Sequence, residues 1–279
     1  MKILTLNLHT YQEVPFEKGD TLESFLRKYK VIQERIAKFI AEACVDFAFF
    51  QEAGQYVYDV PDVTLYGVPI KRSNFVRILA DILFERGMTY YFAWDISHYG
   101  FGVWEEGLGV LSKYPIVEFE TRYVSKQKGL DTFYSRKILR ARVEEQTNTI
   151  DFYCVHFNWK EEGFVEEFLN LVKCIEEVGN REFVIAGDFN IPYGSEEYEM
   201  VFNTKVFGKE LIDSWIAANP DRPAQPTFGG DVISNDSARI DYIVVPEGWE
   251  VYSAEIVFDE MRVSDHMGVF CEVEKNKYK

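Results

Sequence analysis

The spacing of hydrophobic and polar positions predicts a chain built from many short strands and a few helices. Apolar residues recur at helical intervals over residues 22–43, 74–86 and 164–175, and a shorter amphipathic run covers residues 196–202. Short apolar runs of strand length occupy residues 3–8, 46–52, 90–94, 108–112, 116–123, 138–143, 150–156, 183–186, 240–245, 249–258 and 269–273.

Loops are predicted where Pro, Gly and polar residues interrupt these runs. The longest cover residues 56–73, 97–107 and 222–237, and the first two are rich in aromatic residues. Residues 211–216 are ambiguous between strand and helix. Turn signals within residues 108–156 indicate antiparallel pairing in that section. We therefore expect an α/β (α+β) fold in which two mainly antiparallel sheets pack face to face, with helices on the outside.

Some predicted strands end in polar side chains that are costly to bury without partners. One apolar run is stopped by Gly187 and Pro192, and Asp188 and Asn190 lie between them. In an extended segment these two side chains point the same way, which predicts a metal, a substrate or hydrogen-bonding groups beside them. A local turn capped by the same residues is an equal alternative. Glu52 ends another apolar run in the same manner, which favours a shared site.

The composition favours one domain over residues 1–279. The chain has 279 residues, of which 47% are hydrophobic and 16% aromatic, and no Pro-, Gly- or Ser-rich linker divides it. Its apolar runs are too short to span a membrane, and its first residues lack a signal-peptide pattern. The four cysteines lie singly in apolar stretches. They predict buried free thiols and a cytoplasmic location.

The net charge limits the classes of partner. A formal charge of −16 disfavours nucleic acid, because nucleic-acid binding draws on Lys and Arg side chains that neutralise phosphates. Residues 122–142 are the exception, since they hold seven Lys or Arg residues and one Asp, a local charge of 7 − 1 = +6. This stretch would attract a small anion. A pair of solvated strands is the alternative for most of these charges.

A set of short motifs resembles one known superfamily. In chain order the motifs are Leu4-Thr5-Leu6-Asn7, Gln51-Glu52, Glu106-Gly107, Ser135-Arg136, Val155-His156, Gly187-Asp188-Phe189-Asn190, Arg239-Ile240-Asp241-Tyr242 and Ser264-Asp265-His266. Each motif alone is a weak signal, but the ordered set resembles the endonuclease/exonuclease/phosphatase superfamily. The resemblance covers nearly the whole chain. It implies the four-layer α/β/β/α sandwich of the deoxyribonuclease-I-like fold and metal-assisted hydrolysis of a phosphoester.

The resemblance implies a metal site built from oxygen ligands. Glu52 corresponds to the principal Mg²⁺ ligand, with help from Asn7 and Asp265. Hard oxygen donors with waters completing the shell suit Mg²⁺, and Mn²⁺ is an alternative. The metal is expected to polarise the phosphoryl oxygen and to stabilise charge that develops in the reaction.

The resemblance also implies the groups that act on the phosphoester. Asp188 is expected to orient or deprotonate the attacking water, and Asn190 to hold that water or a phosphate oxygen. His156 and His266 are expected to contact the phosphate, and one of them to transfer a proton, because imidazole titrates near neutral pH. Each ring needs a carboxylate to fix its tautomer. The superfamily pattern assigns these as follows: Asp241 to His266 and Glu106 to His156.

Two further residues are predicted to bind the substrate. Arg136 resembles the phosphate-contacting arginine of the superfamily, a task that suits a guanidinium fork, although a solvated strand-edge residue is the alternative. His9 lies beside polar residues at the end of the first strand and is assigned to substrate contact. The fourth histidine, His98, does not fit the pattern and is predicted to be a loop residue.

The expected substrate is a small phosphorylated sugar. The opening segment 6–13 and the segment 99–112 are similar to a bacterial subgroup that includes maltose 6′-phosphate phosphatase. Aromatic residues in the predicted loops would suit the faces of sugar rings. The alternatives are a metal-dependent nuclease, another phosphodiesterase such as a sphingomyelinase-like enzyme, and a non-catalytic binding module. The sequence leaves open the oligomeric state and the leaving alcohol.

Overall fold

A computed structural model of the protein describes residues 1–145, 148–180, 182–229 and 237–276. Its strands are β1 (Lys2–Asn7), β2 (Phe47–Tyr56), β3 (Pro61–Leu65), β4 (Val68–Lys71), β5 (Tyr91–Gly100), β6 (Trp104–Ser112), β7 (Ile116–Tyr123), β8 (Lys137–Glu145), β9 (Asn148–His156), β10 (Phe183–Asp188), β11 (Lys205–Val206), β12 (Lys209–Asp213), β13 (Asp241–Pro246), β14 (Trp249–Val257) and β15 (Gly268–Lys275). Its α-helices are α1 (Leu22–Glu42), α2 (Phe75–Glu85), α3 (Phe164–Val178), α4 (Glu196–Asn203) and α5 (Ser214–Ala218).

Local side chains set the ends of the long helices. Thr21 and Ser24 form a reciprocal capping box at the start of α1, which satisfies backbone groups that the first turn leaves unpaired. The side chain of Asn74 accepts a hydrogen bond from the backbone N–H of Arg77 at the start of α2. Gly179 ends α3 in the left-handed conformation, with φ of 77°. These capping residues explain why the observed helix ends lie close to the ends predicted from the sequence.

The strands form two large sheets and one separate hairpin. The first sheet has the order β14-β15-β1-β2-β6-β5, the second has the order β11-β12-β13-β10-β9-β8-β7, and β3 pairs with β4 alone. Most neighbours are antiparallel, as predicted. Each large sheet also contains one parallel pair, β1 with β2 and β9 with β10. Helix α1 connects the first pair and α3 the second, as a parallel crossover requires.

Three apolar cores stack the sheets and helices into four layers. One core lies between the two sheets, where the rings of Phe47 and Phe152 stack with centroids 4.0 Å apart. A second core joins the first sheet to α1 and α2 through residues such as Phe25 and Leu79. A third joins the second sheet to α3 and α4 through Phe168 and others. This arrangement confirms the predicted four-layer α/β/β/α sandwich.

The two parallel pairs bring polar strand ends together. Because the strands of a parallel pair run in the same direction, their carboxyl ends lie at one edge of the sheet. β1 ends at Asn7, β9 at His156 and β10 at Asp188, and β2 passes Glu52 near the same edge. Since β1 packs against β10 and β2 against β9 across the sandwich, both edges contribute to one site.

Two of the loop predictions were wrong, because both segments contain paired strands. Residues 56–73 contain the β3–β4 hairpin, whose turn at Tyr66 and Gly67 has φ of 52° and 83°. Residues 61–65 do alternate apolar and polar positions, but the run is short and contains Pro61, and Pro69 lies in its partner β4, so a loop was favoured. Residues 97–107 belong to the long β5–β6 hairpin and leave only residues 101–103 as a turn.

Other differences are smaller. The ambiguous residues 211–216 divide at Asp213, which ends β12 and caps α5. The predicted loop 222–237 lies partly outside the described residues. Cys44 is exposed, whereas the other three cysteines are buried as expected. Within the described ranges, no helix combines the length and the apolar character needed to cross a membrane.

Candidate active site

Asp188 lies at the centre of a cluster of side chains from four strand ends and loops. Its Oδ2 accepts a hydrogen bond of 3.0 Å from Nδ2 of Asn7. The Nε2 atoms of His156 and His266 lie 3.7 and 3.8 Å from the same oxygen. Both rings and the carboxylate are buried. His156 ends β9 of one sheet, and His266 lies just before β15 of the other. The two sheets therefore each bring one imidazole to the same carboxylate oxygen.

The end of β10 combines the two interpretations that the sequence left open. The Oδ1 atom of Asp188 accepts a hydrogen bond of 2.9 Å from the backbone N–H of Asn190, which forms the local turn. Asn190 is left-handed, with φ of 54°, so the expectation of an extended segment was wrong here. Its Nδ2 donates 2.8 Å to the backbone oxygen of Phe157 and fastens β10 to the chain after β9. The second oxygen of Asp188 stays in the cluster.

Glu52 enters the cluster through an irregularity in β2. The pairing of β2 with β6 shifts between Phe50 and Ala53, and Glu52 has a φ of 48°. A bulge of this kind re-aims a side chain, and a non-glycine residue in this conformation is strained. The Oε1 atom of Glu52 accepts a hydrogen bond of 3.1 Å from Nδ2 of Asn7. Asn7 thus joins the carboxylates of Glu52 and Asp188 through one nitrogen.

The donors around Glu52 fit a divalent cation. One carboxylate oxygen of Glu52, one of Glu106 and one ring nitrogen of His156 all lie within 4.8 Å of one another, and the two carboxylates are the donors that suit a hard cation. Burial and mutual repulsion raise the pKa of Glu52, and burial raises the pKa of Glu106. A cation would offset the cost of holding these carboxylates together. Carboxylate oxygens are the ligands that Mg²⁺ and Mn²⁺ prefer.

The two other predicted ligands occupy the edge of this group. The Oδ1 atom of Asn7 accepts a hydrogen bond from the backbone N–H of His9 at 3.0 Å, so its nitrogen faces the carboxylates. Asp265 lies 3.5 Å from Nδ1 of His9, and the same nitrogen lies 3.0 Å from Glu13. The His9 ring packs edge-on against exposed Phe101, with centroids 5.8 Å apart. His9 therefore lies between these carboxylates and the exposed ring of Phe101.

His266 is paired as the resemblance implies. Its Nδ1 lies 2.9 Å from Oδ2 of buried Asp241, and the other oxygen of Asp241 makes no hydrogen bond within the described chain. Burial alone would lower the pKa of His266, but Asp241, Asp188 and Asp265 outweigh it and raise this pKa to about 10. His266 is therefore an imidazolium at neutral pH, and its Nε2–H faces Asp188.

His156 has a different partner from the one expected. Its Nδ1 lies 3.3 Å from Nη1 of Arg136, whereas Glu106 makes its contacts with other residues. An arginine can only donate, so Nδ1 of His156 accepts and Nε2 carries the proton. Burial and the adjacent Arg136 hold the pKa of His156 well below its usual value. His156 is a neutral ring that points its Nε2–H toward Asp188.

His98 belongs to the site, contrary to the sequence prediction. It lies opposite Glu106 in the β5–β6 pairing, with its Nε2 3.2 Å from Oε1 of that carboxylate and 3.4 Å from Nη1 of Arg136. Its Nδ1 lies 3.2 Å from the backbone oxygen of Tyr99 and donates to it. Burial and Arg136 lower the pKa of His98 to about 4. The role of His98 could have been predicted only from the β5–β6 pairing register, which places it opposite Glu106.

Glu106 is fixed by its neighbours on β5 and the first loop. Its Oε2 accepts a hydrogen bond of 2.7 Å from Oγ1 of Thr10. A Cβ atom on Gly100 would collide with this oxygen, so a larger residue there would displace the carboxylate from this position. The pairing predicted between Glu106 and His156 is thus replaced by contacts with Thr10 and His98. The reason is that Arg136 occupies the space beside the His156 ring.

Four of the seven cations in the basic stretch 122–142 are held in ion pairs. Arg122 lies 2.9 Å from Glu120. Lys137 lies 2.6 Å from Asp95, and Arg140 and Arg142 share the buried carboxylate of Asp151. Lys137, Arg140 and Arg142 have a structural role, as the alternative of a pair of solvated strands supposes, but they are ion-paired and partly buried rather than solvated. Arg136 differs, because it is buried in the site and its Nε donates 3.0 Å to Oδ1 of Asn158.

Comparisons with known proteins bear on the family and the fold of the chain. Residues 4–266 match the family model described as the Endonuclease/Exonuclease/phosphatase family. No curated protein matches the chain significantly. Among solved structures, a family protein from Leptotrichia buccalis C-1013-b has a TM-score of 0.79 at 24% identity, covering 98% of this chain and 99% of the other.

Two further structures have the same fold at lower identity. A mannosyl-6-phosphatase from Bacteroides thetaiotaomicron has a TM-score of 0.66 at 17% identity, covering 98% of this chain and 99% of the other. A humanized D. rerio TDP2 has a TM-score of 0.62 at 16% identity, covering 99% of each chain. The same fold therefore occurs in solved proteins with different names, so the fold does not identify a substrate.

Proposed function

Because the chain belongs to the endonuclease/exonuclease/phosphatase family, whose members are metal-dependent hydrolases of phosphoesters, we propose that it is a phosphomonoesterase for a small phosphorylated sugar. The observation that carries the proposal is the position of Asp188 Oδ2, 3.7 and 3.8 Å from the Nε2 atoms of His156 and His266. The neutral ring of His156 and the cationic ring of His266 thus both direct an N–H group toward Asp188, next to the carboxylates proposed to bind a cation.

The cofactor proposed for this site is Mg²⁺. Glu52 would hold it, with Glu106 beside it and with Asp265 in the neighbouring cluster of His9 and Glu13. Asn7, whose amide N–H faces Glu52, would position that carboxylate. When bound, the ion would polarise the phosphoryl oxygen and stabilise charge on it. The buried carboxylates supply the negative charge that such an ion requires.

Asp188 is proposed to hold and deprotonate the attacking water. Burial and the nearby Asp241 raise the pKa of Asp188, which makes its carboxylate a stronger base than an exposed one. Asn7 donates to the same oxygen and fixes its direction. A base of fixed direction favours attack from one side of the phosphorus, opposite the leaving oxygen.

The three nitrogen groups are proposed to act on the phosphate. His266 is cationic, so its Nε2–H supplies a proton or a charged hydrogen bond to an oxygen in the reaction. His156 offers a neutral Nε2–H. Arg136 brings a permanent positive charge that suits a monoester dianion. Together they match the charge that the phosphate carries.

Charge distribution supports a small substrate over a polymer. The net charge of −16 repels polyanions, and the cations flanking Arg136 on β8 are held in ion pairs with Asp95 and Asp151. Nucleic-acid binding depends on several free Lys and Arg side chains that contact successive phosphates. A single buried arginine suits one terminal phosphate better. Exposed aromatic residues such as Phe101 offer faces for a sugar ring.

A side-by-side rate measurement tests the proposal. With Mg²⁺ present, we expect turnover of maltose 6′-phosphate to exceed turnover of glucose 6-phosphate, a bis-nitrophenyl diester and double-stranded DNA. Faster cleavage of DNA or the diester would overturn the monoesterase assignment and favour a nuclease or another phosphodiesterase. Equal rates on all monoesters would remove the sugar preference alone. Absence of turnover on every phosphoester with Mg²⁺ or Mn²⁺ would favour a non-catalytic binding module.

A further inference from the structure

A buried chain of hydrogen bonds runs from helix α3 to the guanidinium of Arg136. Glu167, in the first turns of α3, is 1% exposed, and Asn158, just beyond the end of β9, is 3% exposed. The two residues meet through two hydrogen bonds, and Asn158 then meets Arg136. Neither Glu167 nor Asn158 belongs to the cluster around Asp188.

The contacts of Asn158 determine which way its amide points. Its Nδ2 donates 2.6 Å to Oε1 of Glu167 and 2.8 Å to the backbone oxygen of Tyr134, so both amide hydrogens are used. Its backbone N–H donates 2.8 Å to Oε2 of Glu167. The remaining atom, Oδ1, must therefore face Nε of Arg136, which donates to it at 3.0 Å.

Asn158 and the two histidines together leave one part of Arg136 for a ligand. Nε is held by Asn158, and Nη1 lies between the ring nitrogens of His98 and His156 at 3.4 and 3.3 Å. Nη2 makes no hydrogen bond to the part of the chain that the structure describes. A planar fork with two nitrogens fixed presents the third in a set direction.

We propose that Glu167 and Asn158 are positioning residues that set the guanidinium of Arg136 for the substrate phosphate. This inference rests on the proposed function, since it takes a phosphate as the ligand of Arg136. The carboxylate of Glu167 polarises the amide of Asn158, which strengthens its oxygen as an acceptor. Without Glu167 the amide is free to rotate, and Arg136 loses the acceptor that orients it.

Glu167→Gln tests the proposal, with Glu166→Gln as its matched control. The Gln side chain keeps the shape of Glu167 but turns one acceptor into a donor that faces the N–H groups of Asn158. Glu166 is the exposed neighbour on the same helix and carries the same charge. With p-nitrophenyl phosphate as the probe, we expect Glu167→Gln to lower kcat/KM about 10-fold or more, mainly through KM. Glu166→Gln should change it less than about 2-fold.

A double-mutant cycle separates positioning from a general structural role. If Glu167 acts through Arg136, Glu167→Gln should change kcat/KM less than about 2-fold when Arg136 is already Ala. The same fold loss in both backgrounds would overturn the proposal. Asn158→Ala provides a second variant for the same cycle, so the test does not depend on the folding of Glu167→Gln.

A signal that does not depend on activity keeps this inference separate from the proposed function. The Nε–H of Arg136 is buried and hydrogen-bonded, so it should give a slowly exchanging resonance in the arginine side-chain region, assigned by its loss in Arg136→Lys. We expect Glu167→Gln, but not Glu166→Gln, to shift this resonance and speed its exchange. An unchanged resonance would overturn the positioning role. A wild-type protein without phosphatase activity would overturn only the proposed function.

Discussion

Nη1 of Arg136 lies 3.3 Å from Nδ1 of His156, in the place where the family pattern predicted the carboxylate of Glu106. At the second ring, Nδ1 of His266 lies 2.9 Å from Asp241 as predicted. The two histidines that flank Asp188 therefore have partners of opposite charge. One ring is kept neutral and the other cationic, so they cannot exchange roles in proton transfer.

The first prediction concerns the charge on His266. In protein freed of metal with a chelator, we expect the His266 ring to stay protonated at pH 8, because neighbouring carboxylates raise its pKa to about 10. A pH titration of the histidine Cε1–H resonances measures this directly. The resonance of His156 should show a neutral ring over the same range.

The sign of the linked change in stability follows from the raised pKa. The stabilising effect of the protonated ring should be fully present below the unfolded pKa near 6.5 and lost as the pH rises through about 10. Asp241→Asn should remove most of this dependence in urea unfolding and lower the pKa of His266. A His266 ring that titrates near 6.5 in both proteins would contradict the assignment.

The second prediction concerns Glu52. Glu52→Gln should weaken Mg²⁺ binding and depress activity, with partial rescue at high Mg²⁺, because it removes the principal oxygen ligand. The same change should raise the melting temperature of the metal-free protein, because burial and the repulsion from Glu106 raise the pKa of Glu52. Calorimetric metal titration and thermal unfolding measure the two effects. An unchanged metal affinity would exclude the ligand role.

The third prediction concerns His98. His98→Ala should raise KM about 3- to 10-fold, the scale of one lost hydrogen bond to Arg136. Tyr91→Ala, at an exposed position at the other end of β5, is the control and should leave KM nearly unchanged. Steady-state kinetics on a small phosphomonoester provide the measurement. Equal effects of both substitutions would show that His98 acts only through the stability of the β5–β6 hairpin.

The fourth prediction compares the two histidines that flank Asp188. His266→Ala and His156→Ala should each lower kcat about 10²-fold or more, the scale of a lost acid–base group. Asp241→Asn should reproduce the loss at His266 in a milder form, because it loosens the ring without removing it. Circular dichroism must show folded protein in each case. Wild-type kcat in a folded His266→Ala variant would contradict its role.

Several parts of the site could be predicted because each lies at the end of an apolar run. Glu52 and Asp188 come just after apolar runs in β2 and β10 that contribute to the core between the sheets, so their polar side chains stood out in the sequence. The order of the motifs then indicated the four-layer fold, which the sheet order and the three cores confirm. The hydrophobic periodicity and the order of the motifs along the chain were enough to predict these features.

The partner of each histidine could not be predicted in the same way. His98 and Glu106 lie opposite each other only because β5 and β6 form one long hairpin with a turn at residues 101–103. The aromatic and glycine content of that segment favoured a loop, so the pairing register of β5 with β6 could not be predicted. The contact between Arg136 and His156 joins neighbouring strands at their ends, and its geometry depends on Asn158. Such contacts depend on tertiary packing, which strand periodicity does not report.

The most direct test of the central claim is release of inorganic phosphate from maltose 6′-phosphate by wild-type protein and by Asp188→Asn. The substitution keeps the shape of the side chain and removes the charge between the two histidines. We expect Mg²⁺-dependent release by the wild type and a kcat lower by about 10²-fold or more in the folded variant. A folded Asp188→Asn protein that releases phosphate at the wild-type rate would contradict the claim that hydrolysis occurs at Asp188.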